Sequence, residues 1–349
     1  MTGVSPHATG QRSGAGDGNL IDNKVRPMDG TRIIDVQGLT QTFKTKTGPV
    51  EAVRGIDFHV ATGEILGLLG PNGAGKTTTL KMLTTLLAPT SGSALVAGAD
   101  LMRDSREVRR RIGYVAQIGA TPAPGTQVGE ELVVQARLQG MSKQAAKDRL
   151  TELLPQLDLG GFEKRTLAEM SGGQRRRFDI ALGLMHRPKL IFLDEPTTGL
   201  DPQSRANLWD LIRSLQVDHG VTIVLTTHYL DEADALSDRL LVMDEGKIVA
   251  DDTADALKAR VSGDVITLTV DGDLEAARRV ASDAVTTRSS GIENGELVLT
   301  VDVGSTAVPP LLRALDSANL PLKSVQVRRP SLDDVFLTLT GRSLREPGA

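Results

Sequence analysis

Residues Gly70-Pro71-Asn72-Gly73-Ala74-Gly75-Lys76-Thr77 constrain this chain more than any other stretch, because their pattern demands a particular neighbourhood. A buried strand must feed such a loop and a helix must leave it. Both are legible: Glu64-Ile65-Leu66-Gly67-Leu68-Leu69 reads as a buried strand, and helical spacing runs from Thr77 to Leu87. Glycines let successive backbone N–H groups turn inward around an anion, and the helix start adds its positive end. In that setting Lys76 would reach the β- and γ-phosphates of a nucleotide, and the Thr77 hydroxyl would bind Mg²⁺. Gly70, Asn72, Gly73, Gly75 and Thr78 complete the cradle. Without the flanking strand and helix, the same residues would make only a Gly-rich turn.

The pattern around the loop is strand and helix in alternation from Arg32 to about Val249, an α/β class. Ile33–Val36 and Gly55–Val60 read as half-buried strands. Lys189–Leu193 and Thr222–Leu225 are short continuous apolar runs, as in a parallel sheet covered on both faces. Val128 to Leu157 has helical spacing alone and reads as a helical subdomain inserted between strands, within about residues 118–172. Residues 1–30 are rich in Gly, Ser, Asp and Asn and read as a disordered tail. Residues 251–349 read as a small α+β accessory domain. Its expected order is strand 265–270, helix 274–281, strand 285–288, strand 296–301, helix 309–318 and strand 324–328, a ferredoxin-like unit. Ser331 would cap a final helix, with Asp333 and Asp334 in its first turn.

Leu190-Ile191-Phe192-Leu193-Asp194-Glu195 is an apolar strand ending in two carboxylates. The carboxyl end of a parallel strand opens onto the ligand crevice of such a sheet. There Asp194 would sit on the magnesium side and Glu195 could polarise an attacking water. A solvated acidic pair at a strand end is the plainer alternative. Met170-Ser171-Gly172-Gly173-Gln174 comes between the loop and this strand. Ser171 is placed to cap a helix whose first backbone amides, at two glycines, are open to an anion.

Loop, Ser-Gly-Gly-Gln and acidic strand, in that order, resemble the ATP-binding cassette (ABC) ATPases over about residues 32–250. The resemblance implies a P-loop NTPase core and carries roles onto further residues. Gln117 is similar to the glutamine that touches the metal–water shell and couples to a membrane partner. Gly199-Leu200-Asp201 resembles the D-loop, and His228 the switch histidine at the γ-phosphate. Phe43 is similar to the aromatic that stacks on adenine; the alternative is a core or loop phenylalanine. The family works as head-to-tail dimers around ATP, so Ser171, Gly173 and Gln174 of one copy would face the triphosphate held by Lys76 of the other. Met170 stands where leucine is usual, and Phe43 where tyrosine is commoner. The Pro-, Gly- and Ala-rich stretch 118–125 lacks the charges many relatives have there.

Bulk composition narrows the partners. A formal net charge of −4 gives no basic surplus for nucleic acid, and Arg175-Arg176-Arg177 reads as a solvated helix face. There are no cysteines, so disulfides and zinc–thiolate sites are excluded. No apolar run approaches the ~18–20 residues that cross a bilayer, so a membrane role needs a separate transmembrane permease subunit. The stretch 328–341, with Leu332-Asp333-Asp334-Val335-Phe336, is similar to the tail of drug- and antibiotic-exporter ATPases of the daunorubicin-resistance type. The expected function is therefore ATP hydrolysis driving efflux of a drug, antibiotic or lipid at the cytoplasmic face of the membrane. An importer ATPase, with an all-β extension, and a soluble ABC ATPase acting on DNA or ribosomes are the alternatives.

Overall fold

The computed structural model describes residues 32–46, 48–117, 125–261, 263–293 and 295–341. The tail 1–30 and residues 118–124 of the loop after Gln117 lie outside them. In chain order, β1 (Arg32–Thr45), β2 (Gly48–Ala61) and β3 (Ile65–Leu69) lead into α1 (Lys76–Leu83). Then come β4 (Ser91–Val96), β5 (Ala99–Asp100), α2 (Ser105–Arg111), β6 (Ile112–Val115), α3 (Val128–Leu138), α4 (Lys143–Gln156) and α5 (Gly172–Leu184). The core closes with β7 (Leu190–Asp194), α6 (Pro202–Val217), β8 (Thr222–Thr227), α7 (Leu230–Leu236), β9 (Arg239–Asp244) and β10 (Lys247–Asp252).

The six-stranded sheet runs β10-β9-β3-β8-β7-β6. Its pairs are parallel from β9 to β6, and only the β10 edge is antiparallel. Every residue of β3, β7 and β8 is buried, as strands covered on both faces must be. Side chains alternate between faces. Ile65, Ile191, Leu193, Ile223 and Leu225 pack with residues of α3 to α6. Leu66, Leu68, Phe192, Val224 and Leu241 pack with α1 and with a second, four-stranded antiparallel sheet, β2-β1-β4-β5. The strand segments at Ile33 and Gly55 are parts of β1 and β2, both 14 residues long. Register shifts let the pair bend over the core.

Helix α1 stops at Leu83, short of the expected Leu87. Thr84 Oγ1 donates back to Leu80 O at 2.8 Å, and Thr85 takes a left-handed φ of 63°. The helical insertion is α3 and α4, joined to α5 through a short 3₁₀ turn at Leu167–Glu169.

Beyond α8 (Ala254–Val261) come β11 (Asp264–Val270), α9 (Leu274–Ala284), β12 (Thr287–Glu293), β13 (Glu296–Val301), α10 (Gly304–Ser317) and β14 (Leu322–Arg328). The strand order β12-β13-β11-β14, antiparallel throughout, is the ferredoxin-like arrangement. Helix α10 begins at Gly304 rather than Pro309, so both prolines lie inside it. Asp264 Oδ2 accepts from Gly304 N–H at 2.7 Å and pins the earlier start. Two helices cover one face of this sheet around Ile266, Leu268 and Leu311, unlike the all-β extension of the importer alternative. Helix α11 (Leu332–Thr340) follows, with a Ser331–Asp334 capping box.

Candidate active site

The carboxyl ends of four adjacent parallel strands meet at one edge of the central sheet. β3 runs into the glycine loop, β7 into Asp194-Glu195, β8 into Thr227-His228, and β6 into Ala116-Gln117. At the loop, Gly75 has φ +102°, and a Cβ there would lie 2.6 Å from Ala52 O, so glycine is required twice over. α1 has no side-chain cap, which leaves the positive end of the helix facing the cleft. Lys76 is buried, and its Nζ donates to the carbonyls of Gly70 (2.7 Å) and Pro71 (3.0 Å). Burial lowers its pKa, while Glu195 and then Asp194 oppose the shift.

The two acids are held differently. Asp194 Oδ1 accepts from Thr77 Oγ1 (3.0 Å) and Thr226 Oγ1 (2.7 Å). Glu195 adopts a left-handed φ of 45°, unusual for a side-chain-bearing residue and costly by about 1–2 kcal/mol. Its N–H donates to Thr226 Oγ1 at 3.0 Å. Its Oε2 accepts from Gln117 Nε2 at 2.8 Å and Thr198 Oγ1 at 3.2 Å. His228 Nδ1 stands 3.2 Å from Oε1, within ion-pair range but out of line for a hydrogen bond. The His228 contact, aided by Lys76 and Thr198 and opposed by burial, holds the Glu195 carboxyl below the usual range. Glu195 is thus a carboxylate at neutral pH, the form a general base needs.

A cleft of about 530 Å³ opens beside these groups. Asn72, Gly73, Gly75, Lys76, Thr77, Thr78 and Glu195 form one side, and Val50, Glu51, Ala52 and Arg54 of β2 another. Phe43 does not line it. It lies on β1 opposite Val50, and both side chains are exposed at the margin. Ser171, Gly173, Gln174 and Asp201 do not line it either. Ser171 and Gln174 close a capping box on α5, with Gln174 N–H to Ser171 Oγ at 3.3 Å and Ser171 N–H to Gln174 Oε1 at 3.0 Å. Asp201 caps α6 through Ser204 N–H at 2.9 Å. One chain therefore walls the cleft with the loop, Glu195 and β2, and without its own Ser-Gly-Gly-Gln segment.

The arginine run departs from the expected solvated face. Arg176 is buried, with its guanidinium spread over main-chain carbonyls beneath Glu195. Three consecutive helical residues are spaced ~100° apart and cannot all face water when α5 packs on a sheet. Thr226 and Thr198 also belong to the site and were not singled out by motif. The signal for Thr226 is the hydroxyl pair Thr226-Thr227 that closes the apolar run Ile223–Leu225.

The ABC transporter family model matches residues 53–198, and residues 253–340 match the C-terminal domain of DrrA1-3-like ATP-binding proteins. A daunorubicin resistance ATP-binding protein of Streptomyces coeruleorubidus is 42% identical over 300 residues, covering 85% of this chain and 94% of the relative. The chain is an ATP-binding subunit of the ABC transporter family. The linearmycin resistance ATP-binding protein of Bacillus subtilis is 36% identical, with 88% of the chain and 99% of the relative covered. A dimeric post-hydrolysis ATP-binding cassette bound to ADP and phosphate is 26% identical, with a TM-score of 0.57 over 63% of this chain and 98% of that one. The ABC subunit is thus an ATPase with a cassette core and a C-terminal domain.

Proposed function

We propose that this ABC ATPase powers efflux of a drug or antibiotic through a separate membrane subunit, docked at the cytoplasmic face. The match to the named resistance relatives spans nearly their full lengths, and the C-terminal domain matches that of DrrA1-3-like ATP-binding proteins. No helix among the described residues is long and apolar enough to cross a membrane, in keeping with a separate permease. Two copies would pair head to tail, so that Ser171, Gly173 and Gln174 of one supply the wall the other lacks. Asp201 would lie at that seam, and Phe43 at the adenine.

The observation that carries the catalytic reading is the carboxylate of Glu195, gripped by Gln117, Thr198 and His228 beside the cradle of Lys76. With ATP bound, Lys76 would exchange the Gly70 and Pro71 carbonyls for β- and γ-phosphate oxygens. Gln117 and His228 would turn from Glu195 toward the γ-phosphate, freeing its carboxylate to take a proton from water. The water oxygen bonds to the γ-phosphorus, the bond to the β–γ bridging oxygen breaks, and ADP and phosphate leave.

The oxygens of Thr77 and Asp194, 3.0 Å apart at the cleft, form a hard donor pair that suits Mg²⁺, with Gln117 nearby. Among the described residues no trio of acids, His or Cys could hold a metal alone, so such a cation would draw its other ligands from phosphate and water. When bound, Mg²⁺ would neutralise charge on the β- and γ-oxygens.

The test is Glu195→Gln. It should keep ATP affinity, lose about 10²–10⁴ in kcat, and accumulate an ATP-bound dimer on light-scattering chromatography. A wild-type rate would exclude Glu195 as the base. Lys76→Ala should abolish tight ATP binding by calorimetry; unchanged affinity would remove Lys76 from the phosphates.

A further inference from the structure

Arg176 stands one helical turn into α5, past the Ser171 cap, and is 7% exposed. Its guanidinium makes a fan of bonds to main-chain oxygens. Nε donates to Pro196 O at 2.7 Å and Nη1 to Ala116 O at 2.7 Å. Nη2 donates to Asp194 O at 3.0 Å and Glu195 O at 3.3 Å. Three of these carbonyls belong to the turn that carries Glu195, and the fourth belongs to the residue before Gln117. One planar cation thus clasps both main-chain segments whose side chains meet at 2.8 Å in the Gln117–Glu195 hydrogen bond.

The clasp also meets a need of the backbone. Glu195 sits at φ 45°, and such a conformation persists only where its surroundings over-determine it. The Glu195 N–H is fixed by Thr226 and its C=O by Arg176, so both sides of the strained residue are tied. Asp179, one turn further along α5, stands 3.9 Å from the guanidinium and balances its charge. A lysine would bring the charge but not the planar set of donors.

We infer that Arg176 is a positioning residue for hydrolysis, holding the Glu195 turn in its left-handed form and in register with Gln117. The inference rests on Glu195 being the general base. Because Arg176 belongs to the helix that Ser171 caps, it also makes a covalently short path from the Ser-Gly-Gly-Gln surface to the same subunit's catalytic carboxylate. Arg176 touches no lining residue of the phosphate loop in these bonds, so its loss should reach chemistry and leave ATP binding.

The experiment compares Arg176→Lys and Arg176→Gln in the wild-type and Glu195→Gln backgrounds. Measured are steady-state kcat, ATP affinity by calorimetry, and single-turnover hydrolysis of radiolabelled ATP. In the wild-type background kcat should fall about tenfold to a hundredfold, as misplacing a reacting group does, with ATP affinity changed less than about threefold. In the Glu195→Gln background the remaining slow hydrolysis should fall less than about twofold, because the positioned group is already gone. An equal fold-loss in both backgrounds, or ATP affinity falling in step with kcat, would overturn the inference. So would failure of both variants to give folded protein by circular dichroism, which would make Arg176 a core residue. A wild-type rate for Glu195→Gln alone would sink the base assignment and the positioning role with it. A strongly slowed Glu195→Gln whose residual rate falls by the same factor on Arg176 substitution would sink the positioning role only.

Discussion

Glu232 is fully buried on α7, yet it carries a carboxyl group. Trp209 Nε1 donates to its Oε1 at 3.3 Å. Burial drives its pKa up, against the polar neighbours Thr227, Thr197 and Trp209 and the nearby charge of Arg205. An acid whose pKa is raised by folding binds its proton more tightly in the native state. Its contribution to stability is fully present below the unfolded value and is lost as pH rises through the folded value. Glu232→Gln mimics the protonated form at every pH. The variant should therefore melt level with wild type near the ordinary value of 4.5 and above it at about pH 8. Thermal melts at the two pH values decide it; a constant gap between the proteins would show that the proton on Glu232 is not linked to folding. Nothing in the sequence marked this residue, because an acid in the first turn of a helix is ordinarily a solvated one.

Among elements, the contact of α5 with β6 sets the depth at which Arg176 reaches the strand ends. A Cβ at Gly113 would fall 2.5 Å from Gly183 O, so the two glycines allow helix and strand backbones to touch. Gly113→Ala should push α5 outward and cost about 1–3 kcal/mol in a urea melt. kcat should fall with it, while ATP affinity, which the separate β3–α1 junction would set, should hold. A variant that loses stability with kcat intact would show that the turn under Glu195 is not sensitive to the seating of α5. Elements were legible in the sequence where chemistry and burial coincide. β3 and β7 are apolar runs that lead into the glycine loop and into Asp194-Glu195, so strand pattern and motif point the same way. Boundaries decided by a single local bond were not legible. Thr84 stops α1 by bonding backward, and Asp264 starts α10 before its prolines. The inward turn of Arg176 was hidden too, since a run of like charges says nothing of which carbonyls lie beneath the helix.

For the whole molecule, sequence order and core membership differ. The division proposed after residue 250 separates a cassette from an accessory domain, but α8 and α11 beyond it join a cluster with residues before it. Leu257, Leu332, Val335 and Phe336 pack with Leu69, Ala233, Leu240 and Val242. Leu69 is the last residue of β3, directly before the glycine loop, so α11 buttresses the strand that feeds the candidate site. Phe336 is 1% exposed, and removing its ring leaves a cavity against that strand. Phe336→Ala should cost about 3–5 kcal/mol, a large share of the stability of an ordinary domain, and lower one common melting transition. Because a ligand that binds only the folded form stabilises it by mass action, saturating Mg²⁺–ATP should recover part of that loss. Calorimetry checks both. If the variant instead melted in two steps, with the nucleotide-sensitive step at the wild-type temperature, α11 would be a lid on its own domain and no support for the cassette.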